Sequence, residues 1–442
     1  MKIVFSIILT AAFAAATYAQ ATGSREITLD DAVKAALEKN HTAVNASYDL
    51  DKAQYGSSKA SDFLLPAVNG TAAYTFGDQL TSSLIYPTVP YSTHGLSYGV
   101  TASVNIFNGG ADAANIRSAD YTLDAAKYNL KWTRQSVAFN VTSAYVNALR
   151  TKELLKSSQL TYSQDSAQLV RVRAQYTAGA QAINAVYQQE AVVGNDELQT
   201  IQSRNNFDNA LADMLFQINI PPSRYGEFDV SLHGIDTAVS TMKTRANGLQ
   251  VDASVIGDLI EHREDFASQR ANLLSEEEAI KITRAGLLPT LNASFGIGGS
   301  GVDPSISHIQ LSHALSGRLT LNVPIYERSQ TGLQMDIQRT QLEEGRVLLD
   351  QSEQQFRSDI TKASNNLRAA NQALDASDHA LTSAEESFRS ATERLRVGAG
   401  IQVDVIVAQS QVQTARTNRV NAVYNYVLAV KQLEYLLGRT NY

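Results

Sequence analysis

The chain has 442 residues and a formal net charge of −7, with acidic and basic residues interspersed. It shows no basic run and no basic patch interleaved with aromatics, which argues against nucleic acid as a partner. The absence of cysteine removes disulfides, thiolate metal sites, cysteine nucleophiles and lipid attachment to cysteine.

At the N-terminus Lys2 precedes the apolar run Ile3 to Ala16, and Ala19-Gln20-Ala21 offers a small-x-small cleavage site. This reads as a secretory signal peptide over residues 1–21, cut after Ala19 or Ala21. No later run is apolar and long enough for a spanning helix, so any membrane crossing by the mature chain must use strands.

Residues 27–65 read as a helix opened by Thr28-Leu29-Asp30-Asp31, a cap followed by acids suited to the positive end of the dipole, and stopped at Pro66. Residues 68–76 then alternate, with Val68, Gly70, Ala72, Tyr74 and Phe76 on one face. A polar loop is expected over 78–95. Residues 96–106 alternate again, Leu96, Tyr98, Val100, Ala102, Val104 and Ile106 against Ser97, Gly99, Thr101, Ser103 and Asn105. A period of two over this length is a strand signal. A long helix without proline follows over 112–177, a turn at Gly179, and a shorter helix over about 182–217.

Residues 219–250, broken by Pro221-Pro222, Gly226, Gly234 and Gly248, read as a connector. The pattern then repeats. Leu64-Leu65-Pro66 recurs 223 positions later as Leu287-Leu288-Pro289. Val104-Asn105-Ile106-Phe107 recurs 219 positions later as Val323-Pro324-Ile325-Tyr326, and Gly179 as Gly398 at the same offset. Such a period marks duplication of a half-protein, with a four-residue deletion between the first landmarks and the second. The second half supplies strands over 290–297 and 315–325, a long helix over 328–396 and a return helix over 401–437. Its helix has a heptad at Ile360, Leu367, Leu374, Leu381, Phe388 and Leu395. The first half has one at Val141, Ala148, Leu155, Tyr162, Leu169 and Tyr176, in register at 219. Seven-residue periods impose a left-handed supercoil, so each half predicts an antiparallel coiled-coil hairpin. The organisation is a first repeat over 22–218, the connector over 219–250 and a second repeat over 251–442.

Taken together, the chain resembles the outer-membrane efflux protein family, the TolC-like channel-tunnels. In the first half the resemblance rests on Thr28-Leu29-Asp30-Asp31-Ala32, Asn40, Leu64-Leu65-Pro66 and Val104-Asn105-Ile106-Phe107-Asn108-Gly109-Gly110. In the second it rests on Arg263-Glu264-Asp265, Leu287-Leu288-Pro289, Val323-Pro324-Ile325-Tyr326, Arg394-Leu395-Arg396-Val397-Gly398, Asp404-Val405 and Leu436-Leu437-Gly438. Two departures put Glu264 and His41 where the family usually has proline. A third puts Ala185, preceded by Asn184, at the first-half position of the family's aspartate.

The resemblance implies a mainly α fold with a β-barrel part: long helical hairpins and four transmembrane strands per chain. Three copies would supply twelve strands, whereas four alone cannot close a barrel. It implies a homotrimer in outer-membrane lipid, with a helical tunnel in the periplasm, serving an inner-membrane transporter through a periplasmic adaptor. It implies a pore constriction at Asp404 and Asn184, adaptor-docking tips at Gly179, Ala180, Arg396, Val397, Gly398 and Ala399, and a lumen-facing Arg318. A plain alternative for Asp404 is an N-terminal-turn aspartate stabilised by its helix dipole.

No phosphate loop, HExxH or Gly-x-Ser-x-Gly motif occurs, so neither enzyme activity nor a cofactor is expected. His308 and His313 carry no expected metal role, and Glu343-Glu344 and Glu385-Glu386 read as solvated helix surface. The alternative from another class is a secreted, soluble coiled-coil scaffold with small hairpins.

Overall fold

A computed structural model describes residues 25–83, 86–231, 253–303 and 305–439. The signal-peptide segment and connector residues 232–252 lie outside the described residues. Contacts divide the chain into two compact units. The first comprises Met1–Ala35, Val141–Asp236 and Ala384–Asn421, the second Ala36–Asn140, Thr237–Ser383 and Ala422–Tyr442.

The helical duplication is in register throughout. Helix α3 (Ala111–Thr177) and helix α7 (Gln330–Arg396) have 67 residues each. Their return helices α4 (Ile183–Gln217) and α8 (Gln402–Leu436) have 35 each. Along α3 the heptad positions Val141, Ala148 and Leu155 are buried, and along α7 Ile360, Leu367 and Leu374 with Ala363, Ser377 and Ala391. Towards its end the first series emerges, and Tyr176 is exposed.

The expected single helix over 27–65 is two. Strand β1 (Arg25–Ile27) precedes α1 (Leu29–Lys39), and α2 (His41–Lys59) follows after Asn40. Asn40 is extended and its side-chain oxygen accepts from Thr42 N at 2.9 Å, so it caps a new helix rather than continuing the old one. His41 is thereby the first residue of α2. Likewise Glu264 is the first residue of α6 (Glu264–Ala285), after α5 (Ala253–His262). Both departures from proline fall at N1, where proline's missing N–H would have had no helical partner, so neither disturbs the helix start.

In the first unit, β1 pairs in parallel with β4 (Phe228–Val230), a contact that the connector's sequence did not foreshadow. Buried Tyr145 of α3 fastens this pair. Its hydroxyl donates to the carbonyl oxygens of Ile27 and Ser231 and accepts from Ser231 N. Burial pushes this phenol up to about 12, so it stays a donor at any physiological pH. Lys152 of α3 also reaches Asp229 at 2.8 Å.

In the second unit four strands form one antiparallel sheet, in the order β2 (Ala67–Ser83), β3 (Tyr86–Asn108), β5 (Thr290–Asp303), β6 (Ser312–Asn322). The hairpins of the two halves meet through β3 and β5, leaving β2 and β6 as edges. Three expectations change here. The polar loop over 78–95 is largely strand, because β2 and β3 continue pairing to Ser83 and Tyr86. Ile106 is a bulge residue: the register shifts between Asn105 and Phe107, so Phe107 faces Leu291 in its place. And β6 stops at Asn322, ahead of Pro324, which has no N–H to extend the ladder.

The same unit holds Arg263 between aromatic rings, its guanidinium 4.7 Å from the Trp132 centroid and 4.2 Å from that of Phe356. It also bonds both oxygens of Asp265 (3.0 and 2.9 Å) and the Leu436 carbonyl at 2.9 Å. This packing ties the start of α6 to the end of α8.

Candidate functional site

The sheet has two chemically distinct faces. Val68, Tyr74, Phe76, Leu96, Tyr98, Val100, Phe295, Ile297, Leu315, Leu319 and Leu321 share one, and all are exposed, Leu319 at 66% and Phe76 at 78%. Soluble monomers rarely show an apolar surface of this extent, which marks contact with lipid or protein. On that face sit two aromatic pairs, Tyr74 with His94 (2.7 Å) and Tyr98 with His313 (2.8 Å). The histidine noted in the sequence thus bonds a tyrosine. The opposite face carries Asn69, Thr71, Thr101, Ser103, Asn292, Ser294, Ser316, Arg318 and Thr320. Among the described residues no helix is long and apolar enough to cross a membrane.

The two hairpin turns have one geometry. Gly179 (φ +75°) and Gly398 (φ +79°) are left-handed, which favours glycine because an added Cβ would clash with its own backbone. After Gly179, Ala180 N donates to Gln175 O at 2.8 Å and Gly179 N to Tyr176 O at 2.9 Å. After Gly398, Ala399 N donates to Arg394 O at 2.9 Å and Gly398 N to Leu395 O at 3.1 Å. Each is a Schellman cap that satisfies the last carbonyls of a long helix. Ala180, Arg396, Val397, Gly398 and Ala399 are all exposed. Arg396 is less available than its exposure suggests, since its guanidinium is held by Glu393 one turn earlier. Exposed Ile183, Ile401 and Val403, which sequence reasoning did not single out, extend the apolar surface beside the turns.

Asp404 lies exposed in the first turn of α8, its N–H donating to Ile401 O at 3.2 Å. The matching first-half bond runs from Ala185 N to Ala182 O at 3.0 Å, so Ala185 is the counterpart of Asp404. Ala185 is buried with Val172 and Val186, while Asn184 beside it is exposed. No hydrogen bond joins Asn184 to Asp404 among the described residues. Arg318 lies exposed on the polar face of β6.

A cluster that sequence reasoning missed lies within the first unit. Asp165 of α3 is 2% exposed and accepts from Gln409 of α8 at 2.6 Å and Gln189 of α4 at 3.4 Å. The carboxyl of Asp196 on α4 lies near it, and among the described residues Asp196 Oδ2 is buried without a hydrogen-bond partner. Burial first, then the bond to and the charge of Asp165, raise Asp196 to about 7. The periodicity of α3 gave a signal, because Asp165 interrupts its buried stripe between Leu155 and Val172. One turn away Thr161 donates to Gln413 of α8 at 2.7 Å. Gln413 also lines a groove of 630 Å³ with Asn147, Ser158, Gln199, Ser203 and Asn418. Among the described residues no cluster of His, Cys, Asp and Glu is placed to hold a metal.

Comparison with known proteins agrees with this geometry. A family model described as "Outer membrane efflux protein" matches residues 32–217 and 255–439. The chain is 24% identical over 424 residues to the outer membrane protein TolC of Vibrio cholerae, covering 91% of this chain and 89% of that protein. It is 24% identical over 277 residues to the pyoverdine export outer membrane protein OpmQ of Pseudomonas aeruginosa, covering 61% of this chain but 56% of that one, little more than half its length. Its fold is similar to solved structures of CusC (TM-score 0.76, 16% identity, 94% and 92% of the two chains covered) and of Campylobacter jejuni CmeC (0.75, 17%, 93% and 85%). With a family model matched across both halves, the chain belongs to the outer membrane efflux protein family, passive channels of the outer membrane whose helical part lies in the periplasm.

Proposed function

We propose that this outer-membrane channel works as a homotrimer, with twelve strands closing a barrel in lipid, and is the exit duct of a tripartite efflux or type I secretion system. The observation that carries the trimer is the sheet itself. Its apolar face is largely exposed, and among the described residues its edge strands β2 and β6 pair on one side only. In lipid such edges cost several kcal/mol per unpaired group, so β2 of one copy pairs with β6 of the next until the barrel closes. Native mass measurement in detergent should give three copies, and a stable monomeric barrel would overturn the architecture. Leu321→Arg or Val100→Arg should impair assembly, by roughly 2–4 kcal/mol at the bilayer midplane. The same change at Thr320 or Thr101 should be tolerated.

Transport through the duct is driven by an inner-membrane transporter, which also selects the substrate, and a periplasmic adaptor docks on the hairpin tips. The tip geometry supports a clean test. Gly398 has open space around it but a positive φ, so any side chain there is strained. Ala399 is exposed without that demand. Ala399→Trp should abolish export and adaptor crosslinking while trimer yield stays normal, and normal export by a folded Ala399→Trp trimer would rule tip docking out. Three Asp404 carboxylates form the constriction, with Asn184 exposed on the companion hairpin. Asp404→Asn should lower cation selectivity in planar bilayers and weaken block by multivalent cations. An unchanged channel would leave Asp404 as a helix-terminus residue.

A further inference from the structure

We propose that Arg318 turns the barrel segment into an anion-attracting sleeve, favouring passage of solutes that carry carboxylate, sulfonate or phosphate groups. The inference rests on the trimeric barrel proposed above and concerns what its lumen does. Arg318 is the only Lys or Arg in β2, β3, β5 and β6. Its row across the sheet reads Ala67, Ser103, Ser294, Arg318, and the row one step outward Asn69, Thr101, Gly296, Ser316. These small, uncharged neighbours leave the guanidinium room to stand into the lumen, and among the described residues no ion pair holds it. The two carboxylates of the strands, Asp78 and Asp303, sit at the far ends of β2 and β5, where they pair in register with Ser92 and His94. Neither neutralises Arg318 at its own level.

A guanidinium carries a delocalised positive charge that is weakly hydrated and suited to carboxylate and phosphate groups. Closure by three copies brings three of them around one water-filled cross-section. Walls of low dielectric focus such a field and raise the local concentration of the opposite charge. Its range is short, since the Debye length is about 8 Å at physiological salt. Residues two along the strand are about 7 Å away, within that range, whereas the whole-channel conductance is dominated by the narrowest point.

The test therefore reads the field locally. The natural chain has no cysteine, so Ser316→Cys or Thr320→Cys introduces one thiol per copy on the lumen face. In intact trimers in liposomes, labelling rates are compared for an anionic and a cationic methanethiosulfonate of similar size. The anionic reagent should be favoured, and Arg318→Gln should lower the anionic-to-cationic ratio on the order of 10-fold. Raising salt should lower the ratio only while Arg318 is present, and Arg318→Lys should restore it. A ratio that Arg318→Gln leaves unchanged, with Ser316→Cys freely labelled, overturns the proposal and leaves the barrel intact. A Leu319→Cys thiol that labels as readily as Ser316→Cys would overturn the barrel reading itself, and the proposal with it.

Discussion

In the first hairpin Asp165 on α3 stands 31 residues before Asp196 on α4, and in the second Glu385 on α7 stands 31 residues before Arg416 on α8. The two pairs sit one residue out of step in the duplicated halves, since at the 219-residue offset Asp165 and Asp196 match Ala384 and Ala415, the neighbours of Glu385 and Arg416. Glu385 and Arg416 form an ion pair at 3.0 Å with side chains 48% and 36% exposed. The first-half pair is instead covered, because α8 lays Gln409 onto Asp165 from a third side. Exposure makes an ion pair cheap and nearly neutral in stability. Burial makes two full charges costly, and raising Asp196 favours its neutral form beside Asp165. One residue of offset turns a helical side chain by about 100°, so the first pair faces the covering helix and the second faces solvent, and that cover decides which chemistry each can hold.

The largest expected effect that would break this contrast comes from Val172→Asp. Val172 is fully buried in the first seam, and a charge left there without a partner costs about 3–5 kcal/mol. Its counterpart Ala391→Asp should cost less, since Arg394 lies one turn on along the same helix. Urea unfolding in detergent would order the two, and equal losses would refute the contrast.

Next comes pH. Asp196 has a folded pKa of about 7 against an ordinary 3.8. The folded hairpin therefore holds a proton that the unfolded chain releases. The stabilisation from that proton is complete below about pH 4, falls as pH rises, and is gone above about pH 7. Thermal midpoints of the trimer should drop from pH 5 to pH 8 more steeply in the natural protein than in Asp196→Asn, which keeps a hydrogen bond and cannot titrate. Parallel curves would show that Asp196 does not couple its protonation to folding.

Smaller and symmetric are the turns. Gly179→Ala and Gly398→Ala should each cost about 1–2 kcal/mol, because both glycines are left-handed with open space around them. Unequal costs would mean that the two turns differ in more than sequence. Smallest is Arg416→Ala, at less than about 1 kcal/mol by the same unfolding measurement, as suits an exposed pair.

Much of this was legible in the chain. Period-two alternation located all four strands, and the 219-residue offset anticipated helices of equal length in the two halves. The turn glycines were legible because few other residues accept a left-handed backbone. Strand ends were less so. Residues 78–95 are polar and read as loop, yet cross-strand pairing carries β2 and β3 through most of them. The bulge at Ile106 was hidden because one extra residue leaves the local alternation intact and moves only the partner strand's register.

The sequence by itself determined the architecture of each half, since helix period, strand period and chain stops are local properties of side chains and backbone. It also determined the chemistry of the sheet's two faces and the place of Arg318, because a strand's alternate residues must face opposite ways. Only the tertiary structure decided that β1 pairs with β4 under Tyr145, and that Asp165 meets Asp196, Gln189 and Gln409. These groups come from segments far apart in the chain, and no periodicity within one helix records which other helix will cover it. Burial by that covering helix, rather than residue type, is what raises the Asp196 carboxyl while Asp404 stands exposed.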